Sequence, residues 1–192
     1  MNEMRSHPSS EEVKQEIRRV RHRHKYSKAL NSTLFYMVLA AALTVLLAML
    51  WLPVLRIYGD SMAPTLVKDE LVIAVKHANF KTGDVCAFYY NNRLLVKRVI
   101  ANPGDWVDID EEGNVFVNGE QIEEPYVAEK ALGECNLELP YQVPDDKYFV
   151  MGDDRAVSLD SRNSAIGCVS ADQVLGKIVF RIWPLSKIGV VH

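Results

Sequence analysis

The longest apolar run of the sequence, residues 34–55, contains 22 residues and no charged side chain. An α-helix rises about 1.5 Å per residue, so this run can cross the roughly 30 Å hydrocarbon core of a bilayer. A buried core helix of this length would carry polar residues, and a cleaved signal peptide has a shorter apolar region that ends in small residues. This run instead ends near the bulky sequence Trp51-Leu52-Pro53. We therefore predict an uncleaved transmembrane helix.

A basic segment precedes the predicted transmembrane helix. Residues 1–33 contain eight Lys or Arg and four Asp or Glu, a charge of +4, whereas the rest of the chain has fourteen and twenty-one, a charge of −7. Val13, Ile17 and Val20 recur at helical spacing, which predicts an amphipathic helix that contacts anionic lipids of the bilayer. Positive residues flank the cytoplasmic end of membrane helices, so residues 56–192 are predicted to be extracytoplasmic. Their acidic charge argues against a nucleic-acid partner.

Beyond the apolar run, hydrophobic and polar positions alternate over short segments that are typical of β-strands. Asn91-Asn92 separates two of these segments as a hairpin turn would. The predicted strands are residues 71–77, 84–90, 93–100, 106–110, 114–118, 148–151 and 176–184. Residues 56–192 are therefore predicted to form a mainly β, antiparallel domain, in which residues 106–147 are a reduced accessory β excursion.

Candidate chemistry begins at YGDSMAPTL, residues 58–66, where Ser61 lies in a turn bounded by glycine and proline. A serine nucleophile needs a base. Three of the five histidines precede the apolar run and a fourth is His192, so a Ser-His-Asp triad would have to use His77. A surface or partly buried position at the end of a strand is the simpler interpretation of His77.

Lys97 is the lysine with the most apolar surroundings. Strand alternation places Lys97 and Arg98 on opposite faces of residues 93–100, and both faces are otherwise apolar. A buried ammonium is costly unless it loses its proton, and a neutral lysine can serve as the base for a serine. The alternatives are a lysine that extends to solvent and an ion pair with Asp84 or Asp160.

Residues 151–167, MGDDRAVSLDSRNSAIG, concentrate polar side chains between glycines. Asp160 and Arg162 suit a bidentate ion pair that braces a loop. Ser158 is small enough to hydrogen-bond and orient a buried amine. The competing interpretation is a solvated polar loop, whereas two arginines among the acids disfavour a divalent metal site.

The three cysteines, Cys86, Cys135 and Cys168, form no C-x-x-C pair and have no histidine near them in sequence. A zinc site is therefore not expected, and neither a metal nor a cofactor is predicted. A Cys135–Cys168 disulfide is possible in an oxidising compartment. Small buried hydrophobic residues are the alternative interpretation.

Together, YGDSMAPTL, KRVIANPGD and GDDRAVSLDSR resemble the signature sequences of the bacterial type I signal peptidases, which are membrane-bound Ser/Lys proteases, and the resemblance covers about residues 34–183. It implies a signal-peptidase-like β domain after a single membrane anchor. It also implies that Ser61 is the nucleophile and Lys97 the general base. The implied substrates are signal peptides of exported preproteins, cleaved after small residues of the Ala-x-Ala type.

The same resemblance implies further roles. Ser158, Asp160 and Arg162 would support the catalytic pair, the backbone of Gly59 and Ser61 would form the oxyanion hole, and Ile57, Met62, Leu95 and Val96 would wall the substrate pocket. Asp154 stands where the family usually has asparagine, and its charge would raise the pKa of Lys97 unless Arg155 neutralises it.

Two other functions share parts of this pattern. A self-cleaving repressor-type protease uses the same catalytic pair, but it would need a DNA-binding domain and no membrane span. A non-catalytic, membrane-anchored β module that assists the assembly of secreted proteins or pili is the other alternative. The presence of Ser61, Lys97 and Ser158 together argues against this second alternative.

Overall fold

The computed structural model describes residues 10–76 and 79–192. His77, the residue considered for a histidine triad, lies outside the described residues. The chain divides into two compact units, Met1–Ala48 and Met49–His192. All the strands described below belong to the second unit.

The described residues of the first unit belong to the helix α1, Ser10–Trp51, which has 42 residues and ends within the second unit. Its segment Leu30–Leu47 has a mean hydropathy of 1.9 and is long and apolar enough to cross a membrane, judged by length and composition. The helix ends at Trp51, four residues before the predicted end at residue 55. Pro53 explains this end, because proline lacks an N–H and drives the preceding residue out of the helical region.

The second unit is mainly β, which confirms the predicted fold class. Its strands are β1 Val54–Arg56, β2 Leu71–Val75, β3 Val85–Tyr90, β4 Arg93–Ala101, β5 Trp106–Ile109, β6 Val115–Val117, β7 Glu120–Gln121, β8 Tyr141–Gln142, β9 Lys147–Met151, β10 Val169–Ser170, β11 Val174–Trp183 and β12 Gly189–Val190. Every described strand pair is antiparallel.

Two sheets organise these strands. The larger has the order β1-β2-β11-β3-β4-β9-β10, with β12 paired to β11, and the smaller has the order β7-β6-β5-β8. The smaller sheet lies within the accessory excursion predicted at residues 106–147. Asn91 and Asn92 both have positive φ in the β3–β4 turn, as a two-residue hairpin turn requires.

The short strands β1, β7, β8, β10 and β12 were not predicted from the sequence. Four of them have only two residues, which is too short to show an alternating pattern. Val54 and Leu55 of β1 belong to the apolar run and have the composition of the helix before them. Pairing with β2, in which Leu55 faces Val72, gives this segment its extended form.

Three hydrophobic clusters fill the second unit. One buries Met62 and Leu66, and these two side chains anchor the turn that presents Ser61. Another joins β4 and β9 of the larger sheet to β5 and β6 of the smaller one, with Phe149 fully buried among them. The attachment of the smaller sheet therefore depends on this second cluster.

We expect Phe149→Ala to lower the free energy of unfolding by about 3–5 kcal/mol, because it leaves a cavity between the two sheets. Urea unfolding of the full chain in detergent, followed by tryptophan fluorescence, measures this change. Val190→Ala is the control, since Val190 is 58% exposed and its truncation should change stability by less than about 0.5 kcal/mol. Equal losses in the two variants would contradict the assigned core.

Candidate active site

The turn that carries Ser61 is fixed from both ends. The Ala63 N–H donates to the Asp60 carbonyl at 2.8 Å, and the Leu66 N–H donates to the Met62 carbonyl at 2.8 Å. Gly59 has φ +88°, a backbone conformation that favours glycine. Among the described residues, Ser61 Oγ makes no hydrogen bond, and neither do the backbone N–H groups of Gly59 and Ser61. These groups are therefore available to a ligand.

β4 places Lys97 inside the protein. The C-terminal half of this strand is buried on both faces, as predicted, and Lys97 is only 3% exposed. Its Nζ donates to Ser158 Oγ at 2.8 Å. Within the part of the chain that the structure describes, no carboxylate forms an ion pair with this amine. Of the two ion-pair partners considered from the sequence, Asp84 binds Lys177 at 2.6 Å, and Asp160 binds Arg162.

Behind Lys97, a chain of hydrogen bonds fixes the position of Ser158. Ser158 Oγ donates to Asp160 Oδ2 at 2.6 Å, and this carboxylate also accepts from the Gly152 N–H at 2.9 Å. Arg162 binds both Asp160 oxygens at 2.9 Å, which is the bidentate pair predicted from the sequence. Ser158 therefore has its hydroxyl proton committed to Asp160 and its lone pairs directed at the amine.

A cavity of about 230 Å³ contains both Ser61 and Lys97 on its wall. The lining residues belong to β1, to the segment that follows it and to β4. All the residues predicted for the oxyanion hole and the substrate pocket line this cavity: Gly59, Ser61, Ile57, Met62, Leu95 and Val96. Ser158, Asp160 and Arg162 do not line it, because they lie behind Lys97.

The position of Lys97 changes its protonation. Burial disfavours the charged form most strongly, the Asp160 carboxylate opposes this effect, and the Arg162 guanidinium adds to it. The net result lowers the pKa of Lys97 from 10.5 to about 8. Asp160 itself loses hydration on burial, but its hydrogen bonds and attraction to Arg162 prevail and keep its pKa below the ordinary value. The neutral form of the amine thus becomes appreciable from neutral pH upward, while Asp160 stays ionised.

Arg155 does not neutralise Asp154, so the pairing suggested from the sequence is wrong. The Arg155 side chain is fully buried and binds Glu124, whereas Asp154 is partly exposed. Asp154 is tied to the serine turn through its backbone, whose N–H donates to the Ser61 carbonyl at 3.2 Å. Its carboxylate is not among the leading influences on the pKa of Lys97.

Two buried ion pairs beside the site were not predicted from the sequence. Arg98 binds Asp153 through Nε at 2.8 Å and Nη2 at 2.6 Å, and Arg155 binds Glu124 through two nitrogens. The sequence pattern did indicate a partner for Arg98. This residue lies in a strand that is apolar on both faces, so its charge needs a buried partner. Glu124 carried no such signal, since it lies in an acidic, irregular segment.

Cys86, Cys135 and Cys168 are free thiols in the structure, so the possible Cys135–Cys168 disulfide is not formed. Cys86 lies opposite Lys97 in the β3–β4 pair. Burial raises the pKa of the Cys86 thiol to about 12. In the described residues, no cluster of three or more His, Cys, Asp or Glu is arranged to hold a metal ion.

Replacing the buried amine should change how stability depends on pH. Between about pH 8 and 10.5, the unfolded chain holds a proton on Lys97 that the folded protein has lost, so this residue adds stability as the pH rises. We therefore expect the unmodified protein to gain stability relative to Lys97→Met across this window. Urea unfolding of both proteins across the window measures the difference, and Lys147→Met, at an exposed position, is the control. A constant difference would contradict the lowered pKa.

A family model and two relatives point to the same family. The family model for signal peptidase, peptidase S26, matches residues 30–183. The signal peptidase I of Bacillus amyloliquefaciens is 35% identical over 162 residues, covering 79% of this chain and 86% of the relative. The signal peptidase IB of Staphylococcus aureus (strain COL) is 39% identical over 152 residues, covering 68% and 78%.

Among solved structures, a signal peptidase I from Enterococcus faecalis V583 aligns with a TM-score of 0.46 and 27% identity, covering 52% of this chain and 97% of that chain. The family model spans most of the sequence, and both relatives exceed 30% identity over more than two thirds of their own length. The chain therefore belongs to the signal peptidase family, peptidase S26, and is a peptidase.

Proposed function

We propose that this peptidase removes N-terminal signal peptides from exported preproteins, with Ser61 as the nucleophile and Lys97 as the general base. One observation carries the proposal. The Lys97 amine is buried, has no carboxylate partner among the described residues, and shares a cavity with a serine hydroxyl that makes no hydrogen bond there. Such an amine can accept a proton at neutral pH, as a serine hydrolase without a histidine base requires.

In the first step, neutral Lys97 takes the proton from Ser61 Oγ as this oxygen attacks the carbonyl carbon of the scissile peptide bond. The hydrogen bond from Lys97 Nζ to Ser158 Oγ uses one N–H of the amine, which leaves its lone pair available to accept the proton of Ser61. Holding base and nucleophile in a reactive geometry removes an entropic part of the barrier.

The attack creates a negative oxygen on the former carbonyl. The N–H groups of Gly59 and Ser61 are proposed to bind it, and their lack of other partners among the described residues supports this role. Removing one such donor typically costs about 3–4 kcal/mol of transition-state stabilisation. Because the donors belong to the backbone, side-chain substitution at Gly59 would act through the positive φ of this residue rather than by deleting a donor.

The intermediate then collapses to an acyl-enzyme. Protonated Lys97 gives its proton to the nitrogen of the departing mature protein, which leaves as a free amine. In the second half of the reaction Lys97 removes a proton from water, and the resulting hydroxide attacks the ester bond to Ser61. The ester bond to Ser61 Oγ breaks, and the oxygen recovers its proton from Lys97.

The apolar lining of the cavity supports a preference for small apolar side chains before the cleaved bond. Ile57 and Met62 are buried, and they line the cavity together with Leu95 and Val96. β1 is the last strand of its sheet among those described, so an extended peptide could add alongside it. Apolar walls of this kind would suit the small apolar side chain of alanine.

We further propose that α1 anchors the enzyme in the membrane, with residues 1–33 cytoplasmic and residues 56–192 extracytoplasmic. The 18-residue segment Leu30–Leu47 supplies the apolar length, and the basic residues before it favour this orientation. A membrane anchor would hold the enzyme at the bilayer that exported preproteins must cross.

Ser61→Ala and Lys97→Arg should each abolish preprotein cleavage and leave the fold intact. Alanine removes the attacking oxygen, and arginine keeps the positive charge but cannot act as a base near neutral pH. The measurement is cleavage of a purified preprotein by the full-length enzyme in detergent, with thermal unfolding as the check on folding.

Ser164→Ala and Lys147→Arg are matched controls, because both side chains are exposed and lie away from the cavity, and both variants should retain full activity. Normal cleavage by Lys97→Arg would refute the proposed base. Normal cleavage by Ser61→Ala would refute the serine mechanism and favour a non-catalytic role for this cavity.

The rate should also depend on pH. Since Lys97 acts in its neutral form, kcat/KM should rise as the pH increases through about 8 and level off above it. The measurement is cleavage of a short peptide substrate between about pH 6 and 10, in buffers of constant ionic strength. A profile that is flat down to pH 6 would exclude a lysine base with this pKa.

A further inference from the structure

Ser158 belongs to the loop of residues 152–162. A residue outside the signature sequences binds this loop. Glu124 lies in the irregular segment between β7 and β8, and its carboxylate binds the guanidinium of Arg155, with Nη1 to Oε2 at 3.1 Å and a second bond from Nη2 to Oε1. Both side chains are fully buried. Tyr126 adds a hydrogen bond from its hydroxyl to Glu124 Oε1 at 3.3 Å.

Arg155 connects the two ends of the loop. Its Nε donates to the Gly152 carbonyl at 3.1 Å, and its own carbonyl accepts from Arg162 Nη2 at 3.0 Å. Gly152 begins the loop, and Arg162 follows Asp160. A displacement of Arg155 would therefore reach both the start of the loop and the ion pair that fixes Asp160.

The segment that contains Glu124 also contacts the loop at Leu132 and Gly133. Arg162 Nη1 donates to the Leu132 carbonyl at 2.7 Å. A Cβ atom at Gly133 would overlap the Arg155 carbonyl and the Arg162 guanidinium. Glu124 thus belongs to a segment that contacts the loop at more than one point.

Displacement of the loop start would reach the catalytic groups directly. A Cβ atom at Gly152 would overlap both Ser158 Oγ and the Ser61 carbonyl, so Gly152 is in close contact with both residues. The Gly152 N–H also binds the same Asp160 oxygen that accepts the Ser158 proton. Close packing of this kind transmits a shift of the backbone instead of absorbing it.

We propose that Glu124 is a positioning residue for the peptidase reaction, which holds Ser158 against the Lys97 amine through Arg155 and Gly152. The inference rests on the proposed Ser61/Lys97 function and extends its machinery into the accessory segment. Stability alone is a weak reason for such a pair, since well-packed apolar residues can often replace a buried ion pair at no cost.

The test is Glu124→Asp, which keeps the charge and shortens the side chain by one CH₂ group. The carboxylate then cannot hold both Arg155 nitrogens in their present position. We expect kcat to fall about tenfold or more, because a misplacement of about 1 Å at a reacting group can cost 10²-fold. A displaced loop should also admit water to the Lys97 amine, which raises the pKa of Lys97. The acid limb of the kcat/KM profile should therefore move to higher pH. KM should change little, since Glu124 does not line the cavity.

Glu123→Asp is the matched control, because it makes the same chemical change at the exposed neighbouring residue and should leave kcat and the pH profile unchanged. A merely structural role for Glu124 would lower the activity by one factor at every pH and leave the acid limb in place. That result, or an unchanged kcat, would overturn the proposal.

Tyr126→Phe is a milder second variant, which removes one hydrogen bond to Glu124 and retains the ring that lies over Arg98, with 3.8 Å from the guanidinium carbon to the ring centre. A smaller shift of the acid limb in the same direction is expected, and no shift would count against the proposal even if Glu124→Asp did not fold. Ser61→Ala distinguishes a failure of the positioning role from a failure of the proposed function. Loss of cleavage in Ser61→Ala with a normal Glu124→Asp would overturn the positioning role alone, whereas retained cleavage in Ser61→Ala would overturn the proposed function.

Discussion

The site depends on an imbalance of buried charge. Among the described residues, four cationic side chains are buried around the loop of residues 152–162, and three carboxylates are buried with them. Each arginine takes one carboxylate, in the pairs Arg98–Asp153, Arg155–Glu124 and Arg162–Asp160. Lys97 is left with a hydroxyl as its partner. Since a buried charge without a counter-ion is costly, the imbalance is relieved most easily by the loss of a proton, and lysine can release one where arginine cannot.

The antiparallel sheet gives this arrangement its geometry. Neighbouring residues of a strand point to opposite faces, so Lys97 and Arg98 reach different partners although they are adjacent in sequence. Lys97 meets Ser158, while Arg98 meets Asp153 and the Gly83 carbonyl. β4 thus supplies both the titratable amine and a permanent cation, which binds Asp153 at the start of the loop.

Alternation, turn residues and charge were enough to predict the long strands, the apolar helix, the buried Lys97 and the Asp160–Arg162 pair. These features arise from local patterns or from partners two residues apart. β1 could not be predicted, because the same apolar residues suit a helix and only pairing with β2 decides between them. Glu124 could not be assigned either, because its partner Arg155 is 31 residues away and many surface glutamates have the same sequence context. The partner of Arg155 was predicted wrongly for the same reason. Proximity in sequence favoured Asp154, whereas the folded protein buries Arg155 with Glu124.

The position of Cys86 opposite Lys97 has a consequence for how the buried cluster exchanges protons. A thiol beside an amine could form a coupled pair with two mixed protonation states, as happens when two groups of similar acidity share a site. Burial raises the pKa of Cys86 to about 12 and Asp160 is held below its ordinary pKa, so neither competes with Lys97, whose pKa is about 8. Among these three groups, a single proton is exchanged between mildly acidic and moderately alkaline solution. We therefore expect these three groups to release one proton in this pH range, with Lys97 as its source.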